Sequence, residues 1–324
     1  MTTIVSKPKR ITVFGGSGFL GRHVVRALAR RGYQVRVACR RPDLAGHLQP
    51  LGNVGQIQAV QANLRYRWSV DRAMEGSDHA VNMVGILAES RRQRFDAVQD
   101  FGARAVAEAA RAVGAGMTQI SAIGADTGSA SAYARTKALG EQAVMETIPQ
   151  AVIFRPSIMF GPEDEFFNRF ANMARFSPVL PLIGGGETKF QPVYVTDVAE
   201  AVARAVDGKV GGGAIYELGG PEVLSFRECM EHMLEVIGRD RGFVNLPVSI
   251  ARLQAWFLEF MPNPLLTRDQ VTQLMVDNVV SEAAMAEDRT LQGLGIRPQA
   301  IETILPTYLW RYRKTGQFVT GKVA

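Results

Sequence analysis

Through the first half of the chain, short apolar runs alternate with stretches whose apolar residues recur every three or four positions. The runs are brief and rich in Val and Ile, so they read as strands rather than as buried helix. They fall at 10–14, 34–38, 56–61, 79–83, 117–120 and 151–155. The helical-period stretches between them predict helices near 21–31, 69–75, 96–113 and 133–147. A strand that is apolar on both faces must be covered on both faces. The repeated strand–helix–strand order therefore predicts an α/β fold, a doubly wound parallel sheet with right-handed crossovers. Ligands of such sheets settle in the crevice outside the carboxyl ends of the strands.

After Pro156 the pattern changes. A helix is expected over 166–176, a glycine turn at 184–186, and short strands at 191–194 and 215–218 around a helix over 198–206. The C-terminal stretch reads as helix-rich, punctuated by Pro247, Pro262, Pro264, Pro298 and Pro306. Residues 1–160 and 190–220 then make the sheet domain. Residues 161–189 and 221–324 make a smaller helix-rich C-terminal domain that faces a substrate or partner. No internal repeat or low-complexity stretch interrupts this order.

Charge and cysteine usage narrow the partners. A formal charge of +6 over 324 residues suits an anionic ligand, an acidic protein or an anionic membrane surface. The Lys and Arg residues are scattered rather than gathered into a stripe, so no nucleic-acid partner is expected. Cys39 and Cys229 are far apart, which argues against a disulfide framework or a thiolate zinc site and points to a reducing compartment. His23, His47, His79 and His232 lack ligand spacing, so no metal is expected. The first residues carry no apolar signal core, and no apolar run reaches the roughly 18 residues of a bilayer span. Both features predict a cytoplasmic protein without a spanning helix.

The segment ITVFGGSGFLGRHVVRAL places Gly15, Gly18 and Gly21 between the first strand and the first helix. In that context Gly15 permits the tight turn, Gly18 lets backbone approach a pyrophosphate, and Gly21 allows close helix–strand packing. Ser17, Phe19 and Leu20 complete a loop whose N–H groups and helix dipole point at phosphates. This is the fingerprint of a Rossmann-type NAD(P)-binding domain. An acid at the end of the second strand would hold the ribose 2′-hydroxyl of NAD. This chain has Arg40 and Arg41 there, and its first acid, Asp43, lies beyond a proline. Arg22 supplies a third guanidinium on the same side. Planar guanidinium groups bind phosphate through paired hydrogen bonds, so NADPH is expected over NADH.

With GGSGFLG stand SAYARTKALGE, RPSIMFG and FQPVYVTDVAEAV, and together they resemble the extended or atypical short-chain dehydrogenase/reductase superfamily over most of the chain. One branch is closer in likeness: the nucleotide-binding accessory subunit of respiratory complex I (NADH:ubiquinone oxidoreductase) and its bacterial relatives. ISAIGAD ahead of YARTK, RPSIMFGPED with FNRFANMARF, GGGETKFQPVYVTDVAEAV and LLTRDQV look like that branch.

The resemblance implies that Tyr133 is a general acid/base and that Lys137 lowers its pKa. Residues four apart share a helix face, and a nearby cation favours phenolate. Members of the superfamily add a Ser or Thr after the fifth strand to hold the substrate carbonyl. Here Ile120-Ser121-Ala122 puts Ala122 in the catalytic position and Ser121 beside it. Losing such a donor typically costs about a hundredfold or more. Asn63 stands where relatives often place an Asp against adenine, and it can still donate and accept. The same likeness sets Leu64, Val84, Ser121, Tyr133, Lys137, Arg155 and Pro156 along the cofactor.

A helix over 246–261, between Pro247 and Pro262, carries Ile250, Leu253, Phe257 and Phe260 at spacings of three and four, with Trp256 beside them. Such a stripe ordinarily faces a core. The alternative is an interfacial helix against a bilayer or hydrophobic partner, where Trp and Phe settle. The segment LPTYLWRYRKTGQF interleaves Tyr308, Trp310 and Tyr312 with Arg311, Arg313 and Lys314. That suits an anionic membrane or an RNA strand, unless it packs on the protein's own body.

These readings together predict an NADPH-binding accessory subunit of a respiratory NADH:quinone oxidoreductase, with the cofactor mainly structural. It would bind complex I core subunits and lie peripherally on the cytoplasmic side of the inner membrane. A free-standing NAD(P)-dependent reductase or epimerase is the alternative, and an NADPH-sensing redox regulator is a third. Tyr133 and Lys137 favour the enzyme; Ala122 and the aromatic helix favour the subunit.

Overall fold

Val13, Val37 and Val81 stand in register on three neighbouring strands and are fully buried. β-branched side chains in such a row fill the pleat, each contributing roughly 1.5–3 kcal/mol of burial. In the computed structural model, which describes residues 8–90, 93–261 and 266–314, this row lies in the middle of a seven-stranded sheet. Its first six strands alternate with helices: β1 (Arg10–Phe14), α1 (Phe19–Arg30), β2 (Gln34–Cys39), β3 (Ile57–Gln61), α2 (Arg67–Met74), β4 (His79–Asn82), α3 (Phe101–Ala112), β5 (Gly116–Ile120), α4 (Ala132–Thr147) and β6 (Val152–Pro156). The chain continues through β7 (Met159–Phe160), α5 (Phe167–Phe176), β8 (Val179–Ile183), β9 (Lys189–Phe190), β10 (Val193–Tyr194), α6 (Val195–Val206) and β11 (Ala214–Leu218). It ends with β12 (Leu224–Ser225), α7 (Phe226–Ile237), β13 (Gly242–Leu246), α8 (Val248–Leu258), α9 (Arg268–Gln273), α10 (Glu282–Ala286) and α11 (Ile301–Leu309).

The strand order is β11-β6-β5-β4-β1-β2-β3, all parallel. The order reverses between β1 and β4, and sheets of this kind take their ligands outside the carboxyl ends of the strands at such a switch point. One apolar layer joins α1 and α6 to one face of the sheet, and a second, alanine-rich layer joins α3 to the other. A third cluster gathers α5, α7, β8 and α11 around Phe160, Phe167, Met230 and Leu305.

The predicted strands of the sheet all form, with ends shifted by a residue or so. The helix expected over 96–113 opens with a π-helical turn, Asp96–Asp100, before α3. Helix α7 and the parallel pair β8–β13 were not singled out from the sequence. The start of α7 carries a readable signal, a capping box between Ser225 and Glu228. Pro306 does not punctuate: α11 runs through it. A proline inside a helix costs roughly 3 kcal/mol. Burial of Ile301, Leu305, Tyr308 and Leu309 on one face offsets that.

Two expectations for the C-terminal part exchange places. The core-facing reading of the α8 stripe is overturned, because α8 turns only Ala251 and Ala255 inward. Ile250, Leu253, Trp256, Phe257 and Phe260 are exposed, Phe260 at 74%. Small alanines let α8 lie close to Val271 of α9, and the large side chains are left outside. Trp256 stacks edge-on with Phe257 and Phe260 at 4.7 and 5.4 Å.

The aromatic-basic segment, by contrast, is satisfied on the protein's own body. Tyr308 is buried and donates its hydroxyl to Asp164 at 2.5 Å. Tyr312 donates to Asn168, and Arg313 to the Val236 carbonyl. Arg311 bonds Asn168 and the Pro162 carbonyl. Through Arg313, then, this segment is no free surface for membrane or RNA. Residues 315–318 of that stretch, with Pro262 and Pro264, lie outside the described residues.

Candidate functional site

The glycine turn closes through short backbone bonds. The Gly15 N–H reaches the Ala38 carbonyl at 3.2 Å, and the Gly18 N–H reaches Gly15 at 3.1 Å. Gly15 holds φ +82°, a conformation that favours glycine. At Gly21 a Cβ would stand 2.3 Å from the Gly15 oxygen, so only glycine lets α1 pack this close. Gly18 is different: its φ is −80°, and a Cβ would meet only the Gly15 oxygen, at 3.4 Å. Neither the backbone nor the packing requires glycine there. The open face of Gly18 is room for something outside the chain. No side chain caps α1, which leaves its first N–H groups available to an outside acceptor.

A chain of contacts leads from this turn to the predicted chemistry. A Cβ on Gly15 would touch Val84, and one on Gly85 would stand 3.3 Å from Lys137 Nζ. Lys137 is buried and donates to the Ile120 carbonyl at 3.2 Å. The next residue, Ser121, is buried, and its Oγ has no hydrogen-bond partner among the described residues. Unpaired buried hydroxyls are uncommon and costly. Here the orphan lies beside the Lys137 anchor, where a bound nicotinamide would supply a partner. The open Gly18, the uncapped helix and the orphaned Ser121 all fit a dinucleotide.

Tyr133 stands at the start of α4, half-buried, with Lys137 Nζ 5.8 Å from its ring centre. Burial, aided by the Asp269 charge, pushes the Tyr133 phenol up to about 12. Burial also pulls the Lys137 ammonium down to about 8. At neutral pH the tyrosine is therefore a phenol that can donate a proton but not accept one. A reduced nicotinamide bound here would supply hydride, Lys137 would anchor it, and Tyr133 would hold a protonated oxygen nearby.

The adenosine end is less uniform. Arg40 is exposed just past β2 and makes no ion pair among the described residues, whereas Arg41 is forked onto Asp43. Arg22 Nη1 lies 3.2 Å from Glu163, and its buried Nε has no partner. Asn63 accepts from the Arg65 N–H at 3.2 Å. Ser17, Phe19 and Leu20 follow the turn, Leu20 packing its side chain into the core.

Two sequence-predicted cofactor residues turn their side chains elsewhere. Leu64 is buried against α3. Arg155 forks onto Glu141 at 2.9 and 2.6 Å with Glu217 nearby, a half-buried cluster that locks β6 to α4. Pro156 contributes its carbonyl to the Ile123 N–H.

Sequence reasoning missed Asp269. Its carboxylate accepts from Ser131 Oγ at 2.9 Å and from the Ala132 N–H at 2.7 Å. It also missed Gln99, which accepts from Thr136 Oγ1 and donates to the Ile86 carbonyl. The local signal at Asp269 is the Thr267–Gln270 capping box that starts α9. Its partner lies more than a hundred residues away, beyond any local pattern.

A parallel sheet with this switch point and this turn defines a Rossmann protein of the extended short-chain dehydrogenase type, with a nicotinamide dinucleotide as its cofactor. Residues 11–219 match the NAD dependent epimerase/dehydratase family, and the chain belongs to it. The chain is 36% identical to NADH dehydrogenase (ubiquinone) 1 alpha subcomplex subunit 9, mitochondrial, of Arabidopsis thaliana, over 94% of its own length and 78% of that protein. It is 32% identical to the subunit of the same name from Mus musculus, over 93% and 80%. A ceramide reductase of Caulobacter vibrioides is 35% identical over 73% of each chain. Among solved structures, UDP-glucose 4-epimerase of Thermus thermophilus in complex with NAD superposes with a TM-score of 0.69 at 22% identity, over 94% of this chain and 99% of that one, which shows the common fold.

Proposed function

We propose that the chain is an accessory subunit of a respiratory NADH:quinone oxidoreductase, holding NADPH mainly as a structural cofactor. The observation that carries this reading is the reach of the likeness. The family match ends at residue 219, whereas similarity to the complex I subunits spans 94% of the chain and so takes in the C-terminal third. That third bears the exposed aromatic face of α8. A cofactor that binds only the folded state adds its binding free energy to stability, which needs no turnover. Arg40, unpaired beside the ribose end, favours the 2′-phosphate of NADPH over NADH.

No described helix is long and apolar enough to cross a membrane. In this reading the chain is peripheral on the cytoplasmic side of the inner membrane. It contacts complex I core subunits, and its α8 face rests on the anionic bilayer. Purifying the native protein from membranes and identifying what accompanies it tests the assignment. Core subunits of the quinone reductase should co-purify; a soluble protein free of them defeats it.

A second reading has its own support. Tyr133 and Lys137 stand together, and the phenol is held protonated, as reduction of a carbonyl requires. With the likeness to a ceramide reductase, this favours a free-standing NADPH-dependent reductase acting on a lipid-like carbonyl.

A further inference from the structure

Helix α9 makes one set of bonds that its own stability does not need. Its N-terminus is already closed by the capping box of Thr267 and Gln270. Asp269, between them, turns away from α9's own end and serves α4 instead. It accepts from Ser131 Oγ at 2.9 Å, from the Ala132 N–H at 2.7 Å and from the Tyr133 N–H at 3.4 Å. Gln273 Nε2 steadies the carboxylate at 2.8 Å. A carboxylate at a helix N-terminus gains from both charge-assisted hydrogen bonds and the dipole.

The neighbouring residue grips the opposite wall. Gln270 Nε2 donates to the Leu87 carbonyl at 3.3 Å, two residues past the Gly85 that lies over Lys137 Nζ. The start of α9 thus spans from the helix that carries Tyr133 to the loop that follows β4. On its other side, α9 is tied to α8: the Arg268 N–H and Nε meet Glu259 at 2.8 and 3.0 Å. The core shared by α8 and α9 is small, three buried side chains (Ala251, Ala255 and Val271) with partly buried neighbours. Elements with so little buried apolar contact open before the rest of a fold.

We propose that Asp269 is a positioning residue and that α9 latches the nicotinamide end, so cofactor leaves only when α9 releases α4 and the loop after β4. The proposal rests on the reading of the glycine turn and Lys137 as a cofactor site. It does not depend on which dinucleotide is bound, because the latch lies at the end that NADH and NADPH share.

The test follows dissociation of NADPH and of NADH from the full-length protein by stopped-flow chase, beside amide exchange of residues 84–90 and 131–137. Asp269→Ala should speed release of both cofactors by the same factor, on the order of tenfold, and raise exchange in both segments. Asp269→Asn, which keeps one acceptor, should fall between. Gln270→Ala should raise exchange at 84–90 while leaving 131–137 protected. An Asp269→Ala protein that melts earlier but releases both cofactors at the wild-type rate overturns the latch and leaves a simple helix cap. Should neither dinucleotide bind the wild type, the cofactor reading fails. The contact between α9 and the two walls is then judged by exchange alone, and unchanged exchange in both segments overturns it.

Discussion

The Arg41 guanidinium closes on the Asp43 carboxylate through Nε at 3.0 Å and Nη2 at 2.6 Å. The pairing makes two adjacent arginines unequal. Arg40, with no ion pair among the described residues, would meet a 2′-phosphate directly, while Arg41 would first have to leave Asp43, a small obstacle because the pair is exposed to solvent. Arg40→Ser is therefore expected to weaken NADPH on the order of tenfold and NADH hardly at all, with Arg41→Ser less damaging. Calorimetric titration of both cofactors decides it, and equal losses for NADPH and NADH remove Arg40 from the phosphate site.

Gly21 and Gly18 play different parts in the turn, and one substitution in each separates them. Gly21→Ala places a methyl 2.3 Å from the Gly15 oxygen and should destabilise even cofactor-free protein by ~1–3 kcal/mol or more. Gly18→Ala meets only the Gly15 oxygen at 3.4 Å, so cofactor-free stability should stay within about 0.5 kcal/mol. Its cofactor affinity should nonetheless fall, because the methyl points into the open face. Denaturant unfolding without nucleotide, followed by titration, reads both. Unchanged affinity in Gly18→Ala would place the pyrophosphate elsewhere.

Asp197, in the first turn of α6, accepts the Gln299 N–H at 2.8 Å, and burial pushes its carboxyl up to about 6. The folded state then binds a proton more tightly than the unfolded chain. Stability from this group is present below about pH 4 and is lost as pH rises through about 6. Asp197→Asn keeps an acceptor and removes the buried charge. It should stabilise the protein at pH 7.5, by at most ~3 kcal/mol for a rise from 3.8 to about 6, and not at pH 4. Melting curves at the two pH values suffice; an equal effect at both would mean that the charge is not the cause.

A Tyr133 phenol pushed up to about 12 still offers a carbonyl its proton, so the group this site lacks is the neighbouring hydroxyl. Ala122 offers no hydroxyl to a substrate oxygen. Bound NADPH should accordingly remain reduced across a panel of carbonyl substrates, as followed by its absorbance. A turnover near the ordinary enzyme median of roughly 10 per second would overturn the structural-cofactor reading. If such turnover is found, Tyr133→Phe should abolish it without loss of cofactor binding.

Trp256, Phe257 and Phe260 are exposed, so changing all three to Ser removes little buried surface and should leave the fold intact. The wild type should resist release from membranes by high salt, because apolar contact is not screened. The triple variant should appear in the soluble fraction while still binding NADPH. A wild type that is wholly soluble at low salt would speak for the free-standing reductase.

Local pattern was enough to read the seven strands and the cofactor turn, because strand period, helix period and the glycine spacing are properties of neighbouring residues. The pair Tyr133 and Lys137 was marked by the resemblance to the superfamily, and a spacing of four brings the two side chains to one helix face. What the sequence could not decide was direction. The α8 stripe has the spacing of a core face, yet its alanines turn inward and its aromatics outward, a choice made by how closely α9 approaches. Tyr308 and Arg311 have the composition of a membrane surface, yet Asp164 and Asn168 lie where they can absorb them.

By itself, then, the sequence determined the chain order of the strands in the main sheet, the glycine turn after the first of them and the helix that carries Tyr133. Tertiary structure alone decided which guanidiniums stay free. Asp43 takes Arg41, and Glu141 takes Arg155, each by a contact whose geometry no spacing rule specifies. It also decided that Asp269, in a short helix far along the chain, would close the N-terminus of α4. The physical reason is common to these cases: a charged side chain settles on whichever partner the folded backbone brings within hydrogen-bond reach, and that distance exists only once the chain has folded.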